Sequence, residues 1–333
     1  SGTLDAELTA INECMPHYYR ITQGHGQGAE LLMNAEAAFM QGNFSDAQIL
    51  LEQTYSTIAS NGQHNISLCC DFLAARLSLF QEGVTFVKNP EVKRKELLSL
   101  HNMMWLNIFD STYAYYYALI RMPEKIPALF KDHMLSTVSF LSPCRPMMEM
   151  IENQVFLSQK MYAKVIGRSE TLLPFCEKMH YELVSLHVQI QTASAYAMLG
   201  KHHDARQLLQ KALEHAMPDG FLIPFVENYN YIKDVLGSIN SITPEPFTDR
   251  ILSLGSVYEQ HCLRLSSRNS RPEILNMLNS REAEIAALIT DRLSNREIAE
   301  RLFLSEGTVK QYVNQIYSKL MINGDTRTKR KQL

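Results

Sequence analysis

The 333-residue sequence lacks the patterns that mark several protein classes. It has no G-x-x-x-x-G-K-[ST] loop and no G-x-G-x-x-G after a predicted strand, so it shows no nucleotide-binding fingerprint. Its six cysteines have no C-x-x-C or Cys/His metal spacing, and we expect buried thiols in a reducing cytoplasm. No set of nucleophile, base and oxyanion donors is recognisable, so we expect neither an enzyme nor a cofactor.

Long apolar runs and strand-like alternation are also missing. The most apolar stretch, residues 103–122, contains Asn107, Asp110, Ser111 and Arg121, which are too many polar groups for a membrane span. No secretory signal opens the chain, so we expect a cytoplasmic protein without a membrane partner. The absence of alternating strands predicts an all-α fold.

The C-terminal part of the sequence contains three short amphipathic segments with clear helix-start signals. Asn279 is followed by Glu282, and Ser294 by Glu297, each at the spacing of a capping box. In a capping box a side-chain oxygen and a carboxylate satisfy the free amides at a helix start. Ser305 is placed to cap a third helix. We therefore expect three helices that begin at these caps.

The third of these helices is expected to have one buried and one polar face. Its apolar positions recur at helical spacing and predict a buried stripe of Val309, Val313, Ile316 and Leu320. The other face has donors and acceptors, one long cation and almost no acid, which suits the major groove of DNA. It carries Thr308, Lys310, Gln311, Tyr312, Asn314 and Gln315. A small bundle with a merely solvated polar face fits the helix periodicity equally well.

The order of residues is more specific than the periodicity. The runs L-N-S-R-E, L-S-N-R-E-I-A, L-F-L-S-E-G-T-V-K-Q-Y-V and I-Y-S-K-L closely resemble the C-terminal DNA-binding domain of LuxR-type transcription regulators. The resemblance implies a four-helix domain over residues 277–333, with a recognition helix from about Ser305 to Leu320. It implies that Lys310, Gln311 and Asn314 face bases and that Ser305, Thr308 and Tyr312 lie near the DNA backbone. Lys319 completes the expected DNA-binding set.

The sequence departs from the family pattern at two turns and at the end. Arg292 and Met321 stand where the family usually has glycine, so we expect local differences in the turns. The family ending R-T-x-A-V is replaced by Arg327-Thr328-Lys329-Arg330-Lys331. The fourth helix, often part of a dimer contact, is therefore expected to be short or frayed. The sequence leaves a homo-oligomer open.

Charge is distributed unevenly along the chain. From Arg268 to the end, twelve basic residues stand against eight acidic ones, a net +4, so the remainder is −7 because the whole chain is −3. A basic module on an acidic body is expected when one end meets phosphate. The basic run at 329–331 is equally typical of a solvated tail.

Residues 1–262 contain a degenerate helical repeat. Segments 35–55 and 194–213 both predict helix, glycine turn, helix, with Gly42 matching Gly200 and Ala47 matching Ala205. A period of about 40 residues adds turns at Gly83, Met122-Pro123 and Lys160, where Lys88, Pro127 and Val165 replace the alanine. This pattern resembles a tetratricopeptide-like α-solenoid, and its period is similar to that of the sensor solenoid of MalT-like LuxR regulators. Those regulators carry an ATP-hydrolysing domain before the solenoid, and a start at Ser-Gly-Thr leads us to expect that one was removed.

A solenoid offers a concave surface to an effector. The candidate effector-binding residues are His101, Trp105, Tyr113 and Tyr116, whose rings and polar groups suit a small molecule or a peptide. Packing between repeats is the favoured interpretation of such an aromatic run. Residues 263–276 are polar and stopped by Pro272, which predicts a linker.

The sequence therefore predicts an all-α transcription regulator with a tetratricopeptide-like solenoid at 1–262, a linker at 263–276 and a LuxR-type helix-turn-helix domain at 277–333. Its expected partners are double-stranded DNA and a small-molecule or peptide effector. The alternative is an adaptor, in which the repeats bind another protein and the C-terminal domain is a protein contact. DNA binding by residues 272–333 and its dependence on salt distinguish the two.

Overall fold

The computed structural model describes residues 2–59, 63–81, 84, 86, 90–138, 140, 142–269, 278–320 and 322. The regular elements of these residues are all helices, as the sequence predicts. None of the described helices combines the length and hydropathy that crossing a membrane requires. The chain divides into two units, Ser1–Arg264 and Leu265–Leu333.

The α-helices up to the end of the first unit are joined by short turns, several of them 3₁₀. In chain order they are α1 (Leu4–Ile21), α2 (Ala29–Met40), α3 (Phe44–Ile58), α4 (His64–Leu77), α5 (Pro90–Ser99), α6 (Met103–Leu119), α7 (Ala128–Lys131), α8 (Arg145–Ser158), α9 (Tyr162–Met179), α10 (Glu182–Met198), α11 (His202–Ala216), α12 (Ile223–Glu227), α13 (Tyr229–Ile242) and α14 (Pro246–Asn269).

The two predicted outer hairpins are present. Helices α2 and α3 are joined at Gly42, with a φ of 78°, and α10 and α11 are joined at Gly200, with a φ of 74°. Both values lie in the left-handed region that glycine adopts without steric cost. Ala47 and Ala205 are both fully buried, which lets the two helices of each hairpin approach closely.

The inner turns follow the predicted spacing only in part. Lys160, with a φ of 62°, joins α8 to α9, and Val165 is fully buried in the place of the alanine. Met122-Pro123 instead leads to a 3₁₀ turn and the four-residue helix α7. Two prolines, Pro123 and Pro127, interrupt the amide hydrogen bonding that a long helix needs there. Gly83 and Lys88 lie outside the described residues, and the likeness to a tetratricopeptide array stays a prediction.

The beginning and the end of the first unit are bonded to each other. The carbonyl of Met40, at the end of α2, accepts a hydrogen bond of 2.8 Å from the amide of Leu222, just before α12. The Asp219 carboxylate accepts bonds from the amides of Gly2 and Leu4. Helix α12 also packs against α10. These contacts bring helices from distant parts of the first unit together around α12.

A buried ion pair lies at this contact. Arg76 on α4 donates to both carboxylate oxygens of Glu227 on α12, at 2.7 and 3.2 Å, and the two side chains are 5% and 0% exposed. The Tyr115 hydroxyl donates to the same carboxylate at 2.8 Å, and the Arg76 guanidinium lies 4.8 Å from the centre of the Phe39 ring. Burial, the largest single effect, lowers the pKa of Arg76, but Glu227, Tyr115 and Glu36 together outweigh burial and raise it.

The predicted linker begins later than expected. Helix α14 continues to Asn269, because Ile251, Tyr258, Cys262 and Leu265 extend an apolar stripe at helical spacing and are all at least partly buried. Residues 263–269, expected as linker, are therefore helical. Residues 270–276, including Pro272, lie outside the described part of the chain.

The second unit is built on the predicted caps. Its described helices are α15 (Ser280–Thr290), α16 (Asn295–Leu302) and α17 (Glu306–Lys319). Complete capping boxes join Asn279 to Glu282 and Ser294 to Glu297. The Ser305 hydroxyl accepts a bond of 3.0 Å from the amide of Thr308 at the start of α17. All three helix-start predictions are confirmed.

The apolar stripe of α17 forms the core of this unit. Val309 and Ile316 are fully buried, and Val313 and Leu320 are 6% and 7% exposed, as the spacing predicts. Arg292, with a φ of 66°, takes the left-handed conformation at the turn where the family has glycine. Met321 and the tail from Arg327 lie outside the described residues.

One carboxylate joins the start of α15 to the end of α17. Glu282, 2% exposed, caps α15 through the amide of Asn279 and also accepts a bond of 2.6 Å from the Lys319 ammonium at the end of α17. The bond from Lys319, with that from the Asn279 amide, lowers the pKa of Glu282 below its ordinary value. Both partners stabilise the ionised form.

Replacing Val313 tests the phase of α17. We expect Val313→Asp to unfold the second unit, because the new carboxylate is buried without a partner. Gln311→Ala is expected to leave it folded, because Gln311 is exposed. Circular dichroism during heating of both variants measures this, and equal helicity with equal cooperativity would contradict the assigned phase.

Acid titration tests the Glu282 contact. Because the pKa of Glu282 is lowered in the folded protein, its contribution is complete above the unfolded-state value and is lost as the pH falls through the folded value. We expect Glu282→Gln to lower the melting temperature of the second unit at neutral pH and to flatten its decline in acid. Glu284→Gln, two residues away and paired with Arg281 on the surface, is the control. Equal acid sensitivity of the wild type and Glu282→Gln would refute the contact's role.

Candidate functional site

The side of α17 opposite its buried stripe presents three polar side chains to solvent. Lys310, Gln311 and Asn314 are all exposed. Among the residues that the structure describes, none of the three has a hydrogen bond or an ion pair. Their donors and acceptors are therefore available to an external partner, on a helix whose position is fixed by its core face.

The hydroxyl groups at the start of α17 are already engaged. Ser305 caps the helix, and its oxygen lies 2.7 Å from the Thr308 hydroxyl oxygen, a distance at which either group donates to the other. Tyr312, expected on the exposed face, is only partly exposed because its ring packs against the core of the unit. These three residues shape and hold the start of the helix, where the free backbone amides carry a partial positive charge.

Lys319, predicted as a DNA-binding cation, has a partner within the unit. Its ammonium is held by the Glu282 carboxylate, which is buried and needs a paired cation. Lys319 thus fastens the end of α17 to the start of α15. The long-range pairing of residues 37 positions apart could not be read from the helical pattern of α17.

The four candidate effector-binding residues do not line one site. Tyr113 is 5% exposed in a cluster with Phe109, and Tyr116 packs against Phe86, with ring centres 5.3 Å apart. Burial raises the pKa of Tyr116 to about 12. Tyr113 is part of the core and Tyr116 is partly buried beside it, which fits the packing interpretation.

The other two candidates lie at the start of α6. His101 is exposed in the turn before the helix. The indole nitrogen of Trp105 donates to the Asn65 side chain at 2.7 Å, and its ring lies 4.7 Å from that of His64. Trp105 therefore links α6 to the start of α4, and its polar group has an internal partner.

A cavity of about 350 Å³ lies elsewhere, between α1, α2, α10 and α11. Most of its wall is apolar and comes from Leu4, Leu8, Ile11, Met33, Ala37, Met40, Leu183, Val184, Leu186 and Phe221. Its polar lining consists of Thr3, Glu7, Glu36, His180, Tyr181, Glu182, His215 and Asp219. Helical periodicity did not reveal this cavity, because its walls come from two distant segments, residues 3–40 and 180–221.

Glu36 is distinct among the four carboxylates of the cavity. Asp219 accepts bonds from backbone amides, Glu182 lies 3.0 Å from His215, and Glu7 accepts a bond from Thr3. Glu36 has no hydrogen bond or ion pair within the described residues. Burial raises its pKa, and the attraction of Arg76 offsets this only in part. A lone glutamate inside the apolar run A-E-A-A-F-M is the sequence signal that was missed.

The described residues contain no group of three or more His, Cys, Asp or Glu side chains arranged to hold a metal ion.

Comparison with known proteins identifies the family of the C-terminal segment. Residues 276–330 match the family described as "Bacterial regulatory proteins, luxR family". The chain is 32% identical over 122 residues to the transcriptional regulatory protein LnrK of Bacillus subtilis, a match that covers 36% of this chain and 54% of LnrK. No solved structure gives a significant match.

Two further relatives match over shorter segments. The transcriptional regulatory protein DegU of Brevibacillus brevis is 45% identical over 53 residues, 16% of this chain and 22% of DegU. The DNA-binding transcriptional activator DevR/DosR of Mycobacterium tuberculosis is 35% identical over 57 residues, 17% of this chain and 26% of that protein. The chain thus spans about half the length of LnrK and less of the others. On the family match and the three capped helices, the C-terminal unit is a luxR-family helix-turn-helix domain.

Proposed function

We propose that this chain is a transcription regulator whose C-terminal unit binds double-stranded DNA by placing α17 in the major groove. The observation that carries the proposal is the exposed trio Lys310, Gln311 and Asn314, which has no partner among the described residues and stands on a helix fixed by its core. An α-helix fits the major groove, and these side-chain types hydrogen-bond base edges there.

Each residue of the trio has a role that follows from its chemistry. Lys310 donates to the acceptors of guanine, while Gln311 and Asn314 both donate and accept, as adenine requires. Ser305 and Thr308 hold the start of α17, whose free amides face a DNA phosphate. The pairing of Lys319 with Glu282 sets the orientation of α17, and the contact of Lys319 with DNA stays part of this proposal.

The first unit receives the regulatory signal in this proposal. Three relatives are named transcriptional regulators or activators, which supports a regulatory role for a chain that pairs this domain with a large helical unit. The helical hairpins and the excess negative charge before Arg268 support an effector-binding or partner-binding unit apart from the basic DNA-binding end. A DNA-binding role agrees with the cytoplasmic location expected from the sequence.

Selection from random DNA duplexes with the whole chain tests the proposal. We expect a preferred site, and an affinity that falls steeply with salt because phosphate contacts release counterions. Lys310→Ala is expected to cost about 1 to 3 kcal/mol on that site and to relax the preference for one base. The measurement is a binding titration at moderate salt with the selected duplex.

Lys211→Ala, an exposed lysine of α11 in the first unit, is the matched control for loss of one positive charge. We expect it to leave DNA affinity unchanged. Unaltered affinity of Lys310→Ala for the preferred site would refute the assignment of α17. A selection that enriches no duplex would refute DNA recognition and favour the adaptor.

A further inference from the structure

We propose that the cavity between α1, α2, α10 and α11 binds a small organic cation, an amine with an apolar body, whose charge is held by the Glu36 carboxylate. This inference goes beyond the proposed function by giving the first unit a ligand class. Its regulatory meaning rests on the proposed function, whereas the binding itself does not require that the chain recognise DNA.

The size and walls of the cavity suit a small molecule. Ligand pockets commonly have volumes of about 300 to 1,000 Å³ and mostly apolar linings, and this cavity has about 350 Å³. Met33 and Met40 contribute flexible side chains that adapt to an irregular ligand. The apolar body of a ligand would therefore replace water along most of the wall.

Helix α1 forms one wall of the cavity, and its apolar face there is only partly buried. Leu4, Leu8 and Ile11 recur at helical spacing, line the cavity and are only partly buried. None of the residues of α1 is fully buried. A ligand beneath this stripe would bury apolar surface that the described chain leaves accessible, which contributes to binding.

The charge of the lining selects for a cation. Four carboxylates line the cavity, and neither lysine nor arginine is found among the residues that form its described wall. Its histidines include His215, which lies 3.0 Å from Glu182. An anionic ligand would meet these carboxylates without a permanent positive charge, so its binding is disfavoured.

Glu36 is the anchor because the charge of its carboxylate is compensated only in part, by Arg76. Its neighbours Ala35 and Ala37 are buried, and its own carboxylate has no described partner. The nearby Arg76 is bonded to both oxygens of Glu227 and is not free to pair with it. A ligand ammonium would stabilise the ionised carboxylate, through a charge-assisted hydrogen bond that a neutral ligand cannot form as strongly.

The aromatic residues of the wall are compatible with a cation. Tyr181 and Phe221 both line the cavity. The face of an aromatic ring attracts a cation, and an apolar chain packs on it equally well. The same wall therefore accepts both parts of an amine with an apolar body.

Three probes with the same alkyl chain test the proposal on the whole chain: octylamine, octanol and octanoate. We expect octylamine to raise the melting temperature of the first unit in a concentration-dependent manner, because it binds only the folded form. Isothermal titration is expected to show octylamine binding about tenfold tighter than octanol, from the stronger hydrogen bond of a charged group. Octanoate is expected to bind weakest.

Variants locate the site. Glu36→Gln is expected to remove the preference for octylamine over octanol, while Glu177→Gln, the same change at an exposed position of α9, retains it. Met33→Trp places a bulky aromatic side chain at the rim of the cavity, where the methionine is 43% exposed. This change is expected to weaken binding of both octylamine and octanol and to leave the helicity of the protein unchanged. A preference for octylamine that survives Glu36→Gln, or equal binding of the amine and the alcohol by the wild type, would overturn the proposal.

The two proposals fail separately. Lys310→Ala is expected to lose DNA affinity and keep octylamine binding, and Glu36→Gln is expected to do the reverse. Selective amine binding by a chain that enriches no DNA duplex would refute the transcription role and support the cation site. DNA binding without amine selectivity would refute the cation site and leave the transcription role intact.

Discussion

The first unit depends on the buried bond between Arg76 and Glu227. It joins α4, near the start of the unit, to α12, near its end, and Tyr115 adds a bond from α6 in the middle. Two charges removed from water are stable only when both are paired and hydrogen-bonded, so the three helices hold one arrangement. That arrangement sets α2 beside α12 and positions Glu36 in the wall of the cavity.

The two units use their polar groups in opposite ways. In the first unit the carboxylates of Glu227 and Asp219 are bonded internally, and Glu36 lines the cavity without a partner among the described residues. In the second unit the described side-chain bonds include the caps, the pair of Glu282 with Lys319 and surface pairs such as Arg281 with Glu284. The central polar face of α17 is left available. A regulator needs this difference, since one part must enclose a ligand and the other must reach into a groove.

Local patterns predicted what local interactions determine. The capping boxes and the stripe from Val309 to Leu320 are confirmed because a cap or a helical face is set by residues a few positions apart. Gly42 and Gly200 likewise marked their turns.

The misses all involve contacts between distant parts of the chain. The pairing of Lys319 with Glu282 and the cavity around Glu36 both depend on helices that meet only in the folded unit. Helical periodicity gives the face of a residue but not its partner across the core. The late start of the linker has a simpler reason. The apolar stripe of α14 continues through Cys262 to Leu265, although most of the neighbouring residues are polar.

A double-mutant cycle on Arg76 and Glu227 tests most directly the claim that their ion pair holds α4 and α12 together in the first unit. Chemical unfolding of the whole chain would be measured for Arg76→Met, Glu227→Leu and the double variant. The account predicts a cost of about 3 to 5 kcal/mol for each single change, because a buried charge loses its partner, and recovery of much of that cost when both are replaced. Single variants as stable as the wild type, or costs that simply add in the double variant, would contradict it.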